Sequence, residues 1–237
     1  MQVARIDYRD EATACQGLLV TADSTATPRP GVLVVHDIRG VGLYPEAHVE
    51  RLLASGYAVF MADMFGGGTA SRDMEHGKQM IGEVTRTRES WRSRIQAAFA
   101  AMLAQPVVDR KRVAAIGYCF GGATVLELAL SGADLRAVIS MHGALDRLAV
   151  GDTANIRARV LVCTGAADPI VPASTVQAFA EALAAGGVVD WQVQTFAHAK
   201  HSYTNPSAPV SPATGYEPTA DRRSLAAALQ LLGEAFV

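Results

Sequence analysis

The chain has 237 residues, 50% of them hydrophobic, and its 21 basic and 23 acidic side chains leave a net charge of -2. This length suffices for one large apolar core, so we expect a single domain over residues 1–237. No block of like charge stands out, which argues against nucleic acid and against an anionic membrane surface as partners.

The composition near the start of the chain also indicates the cellular location of the protein. Arg5, Asp7 and Arg9 stand where a secretory signal needs an apolar stretch. No later apolar run approaches the roughly 18 residues of a membrane span. We therefore expect a soluble, cytoplasmic protein.

The three cysteines are Cys15, Cys119 and Cys163. They are an odd number, lie far apart in sequence, and form no pair with disulfide-framework or zinc-ligand spacing. We expect neither a structural disulfide nor a metal site, and no cofactor.

Short apolar runs alternate with longer helical patterns along the chain. The predicted strands cover 15–21, 31–36, 57–62, 112–118, 136–142, 159–165 and 190–197. The predicted helices cover 45–55, 120–131, 173–186 and 219–235, with a long polar pair across 72–104. This alternation predicts the α/β class, with a mostly parallel central sheet and helices on both faces. A loop rich in Pro, Ser and Thr is predicted for 198–218, and its length favours a functional role.

The segment GYCFGG places Cys119 where a predicted strand turns into a predicted helix. A nucleophile on such a sharp turn needs small residues two positions before and after it, and Gly117 and Gly121 occupy those positions. The N-terminus of the following helix favours thiolate over thiol. We interpret Cys119 as a nucleophile rather than as a buried side chain in a glycine-rich turn.

A cysteine nucleophile needs a base, and the base needs an orienting acid. Asp168, in GAADPIVP, follows one predicted strand, and His198 and His201, in HAKHSY, follow the next. Spacing alone does not decide between these two histidines. His142, at the end of another strand, is a third candidate base.

The segment VVHDIRGVG, residues 34–42, also ends a predicted strand. Acyl transfer needs two donors for the oxyanion, one from the residue after the nucleophile and one from the loop after an early strand. The backbone N–H groups of Phe120 and Ile38 fit these two positions.

The three segments GYCFGG, GAADPIVP and HAKHSY resemble, in order and spacing, the catalytic segments of the dienelactone hydrolase family, a cysteine-nucleophile branch of the α/β-hydrolase fold. The similarity runs from about residue 15 to the C-terminus. It implies an α/β-hydrolase fold without a separate lid domain. It also implies His201 as the base, Asp168 as the acid, and Ile38 and Phe120 as the oxyanion donors.

The resemblance further implies substrate contacts. Members of the family carry an acidic residue before the oxyanion donor that contacts the resting thiol, and here that residue is Asp37. Members that act on dienelactone carry an arginine where this chain has Asn205, so we expect dienelactone to be a poor substrate. Tyr118, beside the nucleophile, is a further candidate contact. The arginines considered as alternative clamps for a substrate carboxylate are Arg39, Arg72, Arg86 and Arg88.

These features predict a hydrolase of small lactones or carboxylic esters whose partner is a small-molecule substrate, in a monomer or a small homo-oligomer. One alternative is a redox or electrophile sensor based on Cys119, against which the lack of an obvious resolving cysteine counts. Another is a non-catalytic binder on the same fold, which would need neither His201 nor Asp168.

Overall fold

The computed structural model describes residues 1–11, 13–23, 27–42 and 45–237. Contacts group these residues into two compact units, Met1–Ala115 and Ile116–Val237. The expectation of a single domain stays a prediction.

The first unit combines an antiparallel hairpin with a parallel strand pair. Its strands are β1 (Gln2–Asp10), β2 (Thr13–Thr21), β3 (Arg29–Val35) and β4 (Ala58–Ala62), in the order β1-β2-β4-β3. Its helices are α1 (Glu46–Ala54), α2 (Met74–Val84) and α3 (Arg88–Leu103). Strand β2 pairs antiparallel with both β1 and β4, whereas β3 and β4 are parallel.

Strand β5 (Val108–Tyr118) begins in the first unit and ends in the second. The second unit continues with α4 (Phe120–Leu130), β6 (Ala137–Met141), β7 (Arg159–Gly165), α5 (Ala173–Ala185), β8 (Trp191–Phe196) and α6 (Pro218–Ala235). Two short 3-10 turns, Leu145–Arg147 and Val150–Asn155, lie between β6 and β7. Strands β6, β7 and β8 are parallel neighbours in that order.

Burial explains the continuous apolar runs in the sequence. Every residue of β4 and β6 is buried, as expected for parallel strands covered on both faces. Helix α4 is buried along its whole length, so its sequence is mostly apolar instead of amphipathic, with Thr124 and Glu127 as its buried polar residues. The alternating strands and helices confirm the predicted α/β class and the mostly parallel strand arrangement. No helix among the described residues is both long and apolar enough to cross a membrane.

Strand β1 has no counterpart among the predicted strands. This strand pairs with β2 and begins the strand order, so it is an edge strand. Arg5, Asp7 and Arg9 alternate in it with the half-buried Ile6 and Tyr8. The exposed charges of an edge strand conceal the apolar pattern, and charges of this kind also discourage pairing with other chains.

Candidate active site

The elbow at Cys119 has the geometry expected of a nucleophile. Cys119 is the N-cap residue of α4, with φ 54° and ψ -118°, a conformation that L-residues rarely adopt. A Cβ atom added to Gly117 would lie 2.0 Å from the carbonyl oxygen of Gly121. The turn therefore requires glycine at position 117. The Cys119 side chain is half-buried and sits at a helix N-terminus, where partial positive charge favours an anion.

Asp168 is fixed by its own loop beyond β7. Its Oδ1 accepts the backbone N–H groups of Ile170 at 2.8 Å and Val171 at 3.2 Å. The residue is 4% exposed. These two bonds hold the carboxylate in one orientation and leave Oδ2 for another partner.

His201 joins the acid to the thiol. Its Nδ1 lies 2.8 Å from Asp168 Oδ2, and its Nε2 lies 3.0 Å from Cys119 Sγ. The backbone of His201 is held by bonds to Ala213 and Gly215 in the loop that follows. The predicted nucleophile, acid and base are therefore in hydrogen-bond contact in the second unit.

Close backbone packing brings the acid and base loops together. A Cβ atom added to Gly165, the last residue of β7, would lie 2.1 Å from the carbonyl oxygen of Ala199. That carbonyl also accepts the N–H of Ala167. The loop that carries Asp168 and the loop that carries His201 thus lie against each other, and a side chain at position 165 would separate them.

The surroundings of His201 favour its protonated form when the neighbouring sulfur is negative. Burial lowers the pKa of His201, but the negative charge of Cys119, the hydrogen bonds to Asp168 and Cys119, and the charge of Asp168 together raise it to about 10. The ring is therefore an imidazolium at neutral pH when the neighbouring sulfur is a thiolate. Such a pair keeps a proton beside the nucleophile.

The other two cysteines are in a different environment. Cys15 and Cys163 are buried within strands. Burial raises the pKa of Cys15 to about 11 and that of Cys163 to about 12. Both are therefore thiols at neutral pH and poor nucleophiles.

The structure distinguishes the three candidate histidines. His198 is exposed, whereas His201 is 4% exposed and contacts the sulfur. His142 is 1% exposed, and both its ring nitrogens are engaged, Nδ1 with the backbone N–H of Cys119 and Nε2 with Thr204 Oγ1. His142 is thus not placed to take the thiol proton. The sequence did not single out Thr204, and only its position three residues after His201 hints at a role.

The two predicted oxyanion donors belong to different units. Phe120 is the first residue of α4, whose initial N–H groups project from the helix end. Ile38 is half-buried in the loop after β3. In the same loop Arg39 binds Asp37 through its backbone N–H at 2.9 Å and through its guanidinium, with Nη2 at 3.0 Å from Oδ2. A contact of Asp37 with the thiol and a carboxylate clamp by Arg39 stay predictions, and each would compete with this ion pair.

The remaining candidate substrate contacts differ in their exposure to solvent and in their hydrogen bonds. Tyr118 is 0% exposed, and its direct contact with a substrate stays a prediction. Asn205 is 5% exposed, and its Oδ1 accepts the backbone N–H of Ser207, so this oxygen serves its own loop. Arg72 is exposed and precedes Asp73, which caps α2. Within the described ranges, no three His, Cys, Asp or Glu side chains form a group that could hold a metal ion.

Comparison with known proteins places the chain in a family. The model of the dienelactone hydrolase family matches residues 15–236. An uncharacterised protein of Caenorhabditis elegans is 38% identical over 60% of this chain and 92% of its own length. A putative carboxymethylenebutenolidase of Methylorubrum extorquens is 28% identical over 78% of this chain and 68% of its own length.

A solved structure is similar over nearly the full length of both chains. It is a dienelactone hydrolase-like promiscuous phosphotriesterase, P91, from metagenomic libraries, with 40% identity and a TM-score of 0.93 over 100% of this chain and 99% of that one. Together with the family match, it confirms the α/β-hydrolase fold. This chain belongs to the dienelactone hydrolase family and is a hydrolase of lactones or carboxylic esters.

Proposed function

We propose that this protein hydrolyses small lactones or carboxylic esters through a Cys119–His201–Asp168 triad and a thioester acyl-enzyme. The observation that carries the proposal is the continuous chain of contacts from Asp168 Oδ2 through the imidazole of His201 to Cys119 Sγ, at 2.8 and 3.0 Å. Each group in the chain has a defined role in nucleophilic catalysis.

Acylation begins with transfer of the thiol proton of Cys119 to Nε2 of His201. Because the Asp168 carboxylate accepts the Nδ1–H, Nε2 is the nitrogen that carries the second proton. The thiolate attacks the carbonyl carbon, a C–S bond forms, and the carbonyl π electrons move to oxygen. Collapse of this tetrahedral adduct breaks the C–O bond, and His201 gives its proton to the leaving alkoxide. With a lactone, the released hydroxyl stays attached to the acyl group.

Deacylation repeats these steps with water. Neutral His201 removes a proton from a water molecule, which attacks the thioester carbonyl. The C–S bond then breaks, the carboxylic acid leaves, and the proton on Nε2 returns to the sulfur. The proposed acylation and deacylation steps use neither an electron carrier nor a metal ion.

Both tetrahedral adducts place negative charge on the former carbonyl oxygen. We assign its stabilisation to the backbone N–H group of Phe120, and the same role for Ile38 stays the expectation that the resemblance implies. The position of Phe120 at the N-terminus of α4 supports this role, since the helix dipole also favours an anion there.

The preferred substrate within this class follows from charge. Asn205 offers no cation to a substrate carboxylate, and Arg39 is engaged with Asp37. We therefore propose that neutral lactones or esters are better substrates than the anionic dienelactone.

Turnover of a panel of p-nitrophenyl esters, aryl lactones and dienelactone, before and after treatment with iodoacetamide, tests the proposal. We expect hydrolysis of at least one neutral ester or lactone, and loss of that activity in proportion to alkylation of Cys119. Full activity after complete alkylation of Cys119 would exclude the proposed nucleophile.

Phosphotriester hydrolysis is a second candidate activity. It is favoured by the 40% identity and TM-score of 0.93 to a promiscuous phosphotriesterase over the whole of this chain. Thiolate attack at phosphorus would expel an aryl oxide protonated by His201, and water would then cleave the P–S bond. Turnover of an aryl phosphotriester such as paraoxon by the parent and by Cys119→Ala tests it. Equal rates in both would assign the activity to another group or to the buffer.

A further inference from the structure

His142 makes a second connection between the nucleophile and the loop of the base. The backbone N–H of Cys119 is shared between the Met141 carbonyl oxygen at 3.0 Å and His142 Nδ1 at 3.1 Å, and His142 Nε2 lies 2.7 Å from Thr204 Oγ1. Thr204 lies three residues after His201. The elbow and the His201 loop are thus joined directly, through Sγ and Nε2 of the triad, and again through the His142 ring.

The tautomer of His142 follows from its partners. A backbone N–H only donates, so Nδ1 of His142 carries no proton and accepts. Nε2 therefore carries the proton and donates to Thr204 Oγ1. The ring is neutral, and this matters because its centroid lies 5.3 Å from that of His201. A charged ring there would repel the imidazolium that forms on His201.

Backbone conformation indicates that the imidazole is what this position requires. His142 has φ 40°, a value that glycine adopts without strain and that histidine adopts at a cost. Among the described residues, the other non-glycine positions with positive φ are Glu11, Cys119 and Ser202. Cys119 bonds to His142, and Ser202 follows His201, so most of this strain is concentrated around the triad.

We propose that His142, together with Thr204, is a positioning residue that sets the distance between Cys119 and His201 for proton transfer. The imidazole contacts the backbone of the nucleophile and the side chain of Thr204, and it exchanges no proton with substrate. Its effect on turnover rests on the proposed function, whereas its effect on the reactivity of Cys119 does not.

Thr204→Val is the sharpest test because it removes the acceptor of His142 Nε2–H and keeps the side-chain shape. Thr164→Val is its matched control, since Thr164 is also buried and its hydroxyl has no hydrogen-bond partner among the described residues. We expect Thr204→Val to slow alkylation of Cys119 by iodoacetamide and to lower kcat by about tenfold each, with KM unchanged. Thr164→Val should match the parent in both.

His142→Asn and His142→Gly separate the hydrogen bond from the backbone strain. Both residues adopt positive φ, but only Asn offers an oxygen in place of Nδ1, whereas in His142→Gly the Cys119 N–H keeps the Met141 carbonyl as its one acceptor of the two. We expect alkylation of Cys119 to be slower in His142→Gly than in His142→Asn at every pH from 6 to 9, with thermal melts verifying that both variants are folded. Parental alkylation rates in Thr204→Val and in a folded His142→Gly would overturn the positioning role. An absence of ester turnover in the parent would instead overturn the proposed function, and the alkylation rates would still decide this inference.

Discussion

Asp63 and Asp168 are both buried aspartates just beyond a parallel strand, yet they are used differently. Both oxygens of Asp63 are occupied by backbone N–H groups, Oδ2 by those of Gln16 and Gly68 and Oδ1 by those of Phe65 and Gly66. Asp63 is 0% exposed and holds a glycine-rich turn in place. Its hydrogen bonds close a loop.

Only one carboxylate oxygen of Asp168 is hydrogen-bonded to its own loop. Oδ1 accepts two backbone N–H groups, and Oδ2 accepts the Nδ1–H of His201. The backbone bonds fix the direction of the carboxylate, and the second oxygen orients a titratable side chain. Burial and a position just beyond a strand therefore do not make an aspartate catalytic, whereas an oxygen that accepts an imidazole N–H suits it to that role.

The largest expected effect comes from removing the partner of Asp168 Oδ2. We expect His201→Ala to lower kcat by roughly ten-thousandfold or more, because the base and the proton donor are lost together. His198→Ala is the control, since His198 is exposed and outside the contact chain, and it should retain parental kcat. Steady-state kinetics on the best neutral ester measures both. The reverse ranking would mean that the base has been misassigned.

Matched substitutions of the two aspartates test the comparison itself. Asp168→Asn should lower kcat by roughly a thousandfold to ten-thousandfold, because an amide presents the wrong group to His201 Nδ1–H. Asp63→Asn should leave kcat of the folded protein near parental but lower the free energy of unfolding by roughly 3 kcal/mol, since an amide cannot accept all four N–H groups. Urea unfolding and kinetics on both variants measure these effects. If Asp63→Asn reduces kcat as strongly as Asp168→Asn, the two roles are not distinct.

Adding a cation near the site should change substrate preference more modestly. Asn205→Arg should raise kcat/KM for dienelactone relative to an uncharged lactone by about tenfold to a hundredfold, the value of a charge-assisted hydrogen bond. Asn205→Ala is the control, because it removes the bond to Ser207 without adding charge. A parent that already prefers dienelactone, with no gain in Asn205→Arg, would show that another residue binds the carboxylate.

The smallest expected effect is a change in the pKa of His201 when Cys119 is replaced by serine. Beside the thiolate its pKa is raised from 6.5 to about 10, so the imidazolium that forms when His201 takes the thiol proton persists at neutral pH and is lost as pH rises through 10. Cys119→Ser removes the negative sulfur, the strongest of the influences that raise this pKa, and should bring it down toward its ordinary value. Nitrogen NMR titration of the histidine rings in parent and variant measures the difference. Titration near 6.5 in both proteins would contradict the charged pair.

The triad could be predicted from sequence because each of its residues immediately follows a strand-like run. Cys119 carries its own signal in the flanking glycines, and His201 follows from the resemblance of HAKHSY to a family segment. The sequence spacing cannot distinguish His198 from His201 as the base, because their positions depend on how the loop after β8 folds. Close packing of Gly165 against Ala199 decides that arrangement.

Other features could not be predicted from the sequence, because they depend on backbone conformation and side-chain contacts. The role of His142 depends on a positive φ and on the direction of two ring nitrogens, neither of which leaves a periodicity. Tyr118 ends β5 and is fully buried, which its place beside the nucleophile in the sequence does not reveal. Arg39 was considered as a carboxylate clamp, yet an aspartate two residues earlier in the same loop already binds it.

Trapping the acyl-enzyme tests the central claim most directly. The protein would be mixed with p-nitrophenyl acetate, quenched with acid during turnover, digested, and examined by mass spectrometry. We predict one acetyl group on the peptide that contains Cys119, labile to hydroxylamine as a thioester is, and unmodified Cys15 and Cys163. We also predict that the adduct accumulates in Asp168→Asn if deacylation slows more than acylation. Continued p-nitrophenol release by Cys119→Ala at the parental rate, with no acetyl group on Cys119 in the parent, would contradict the account.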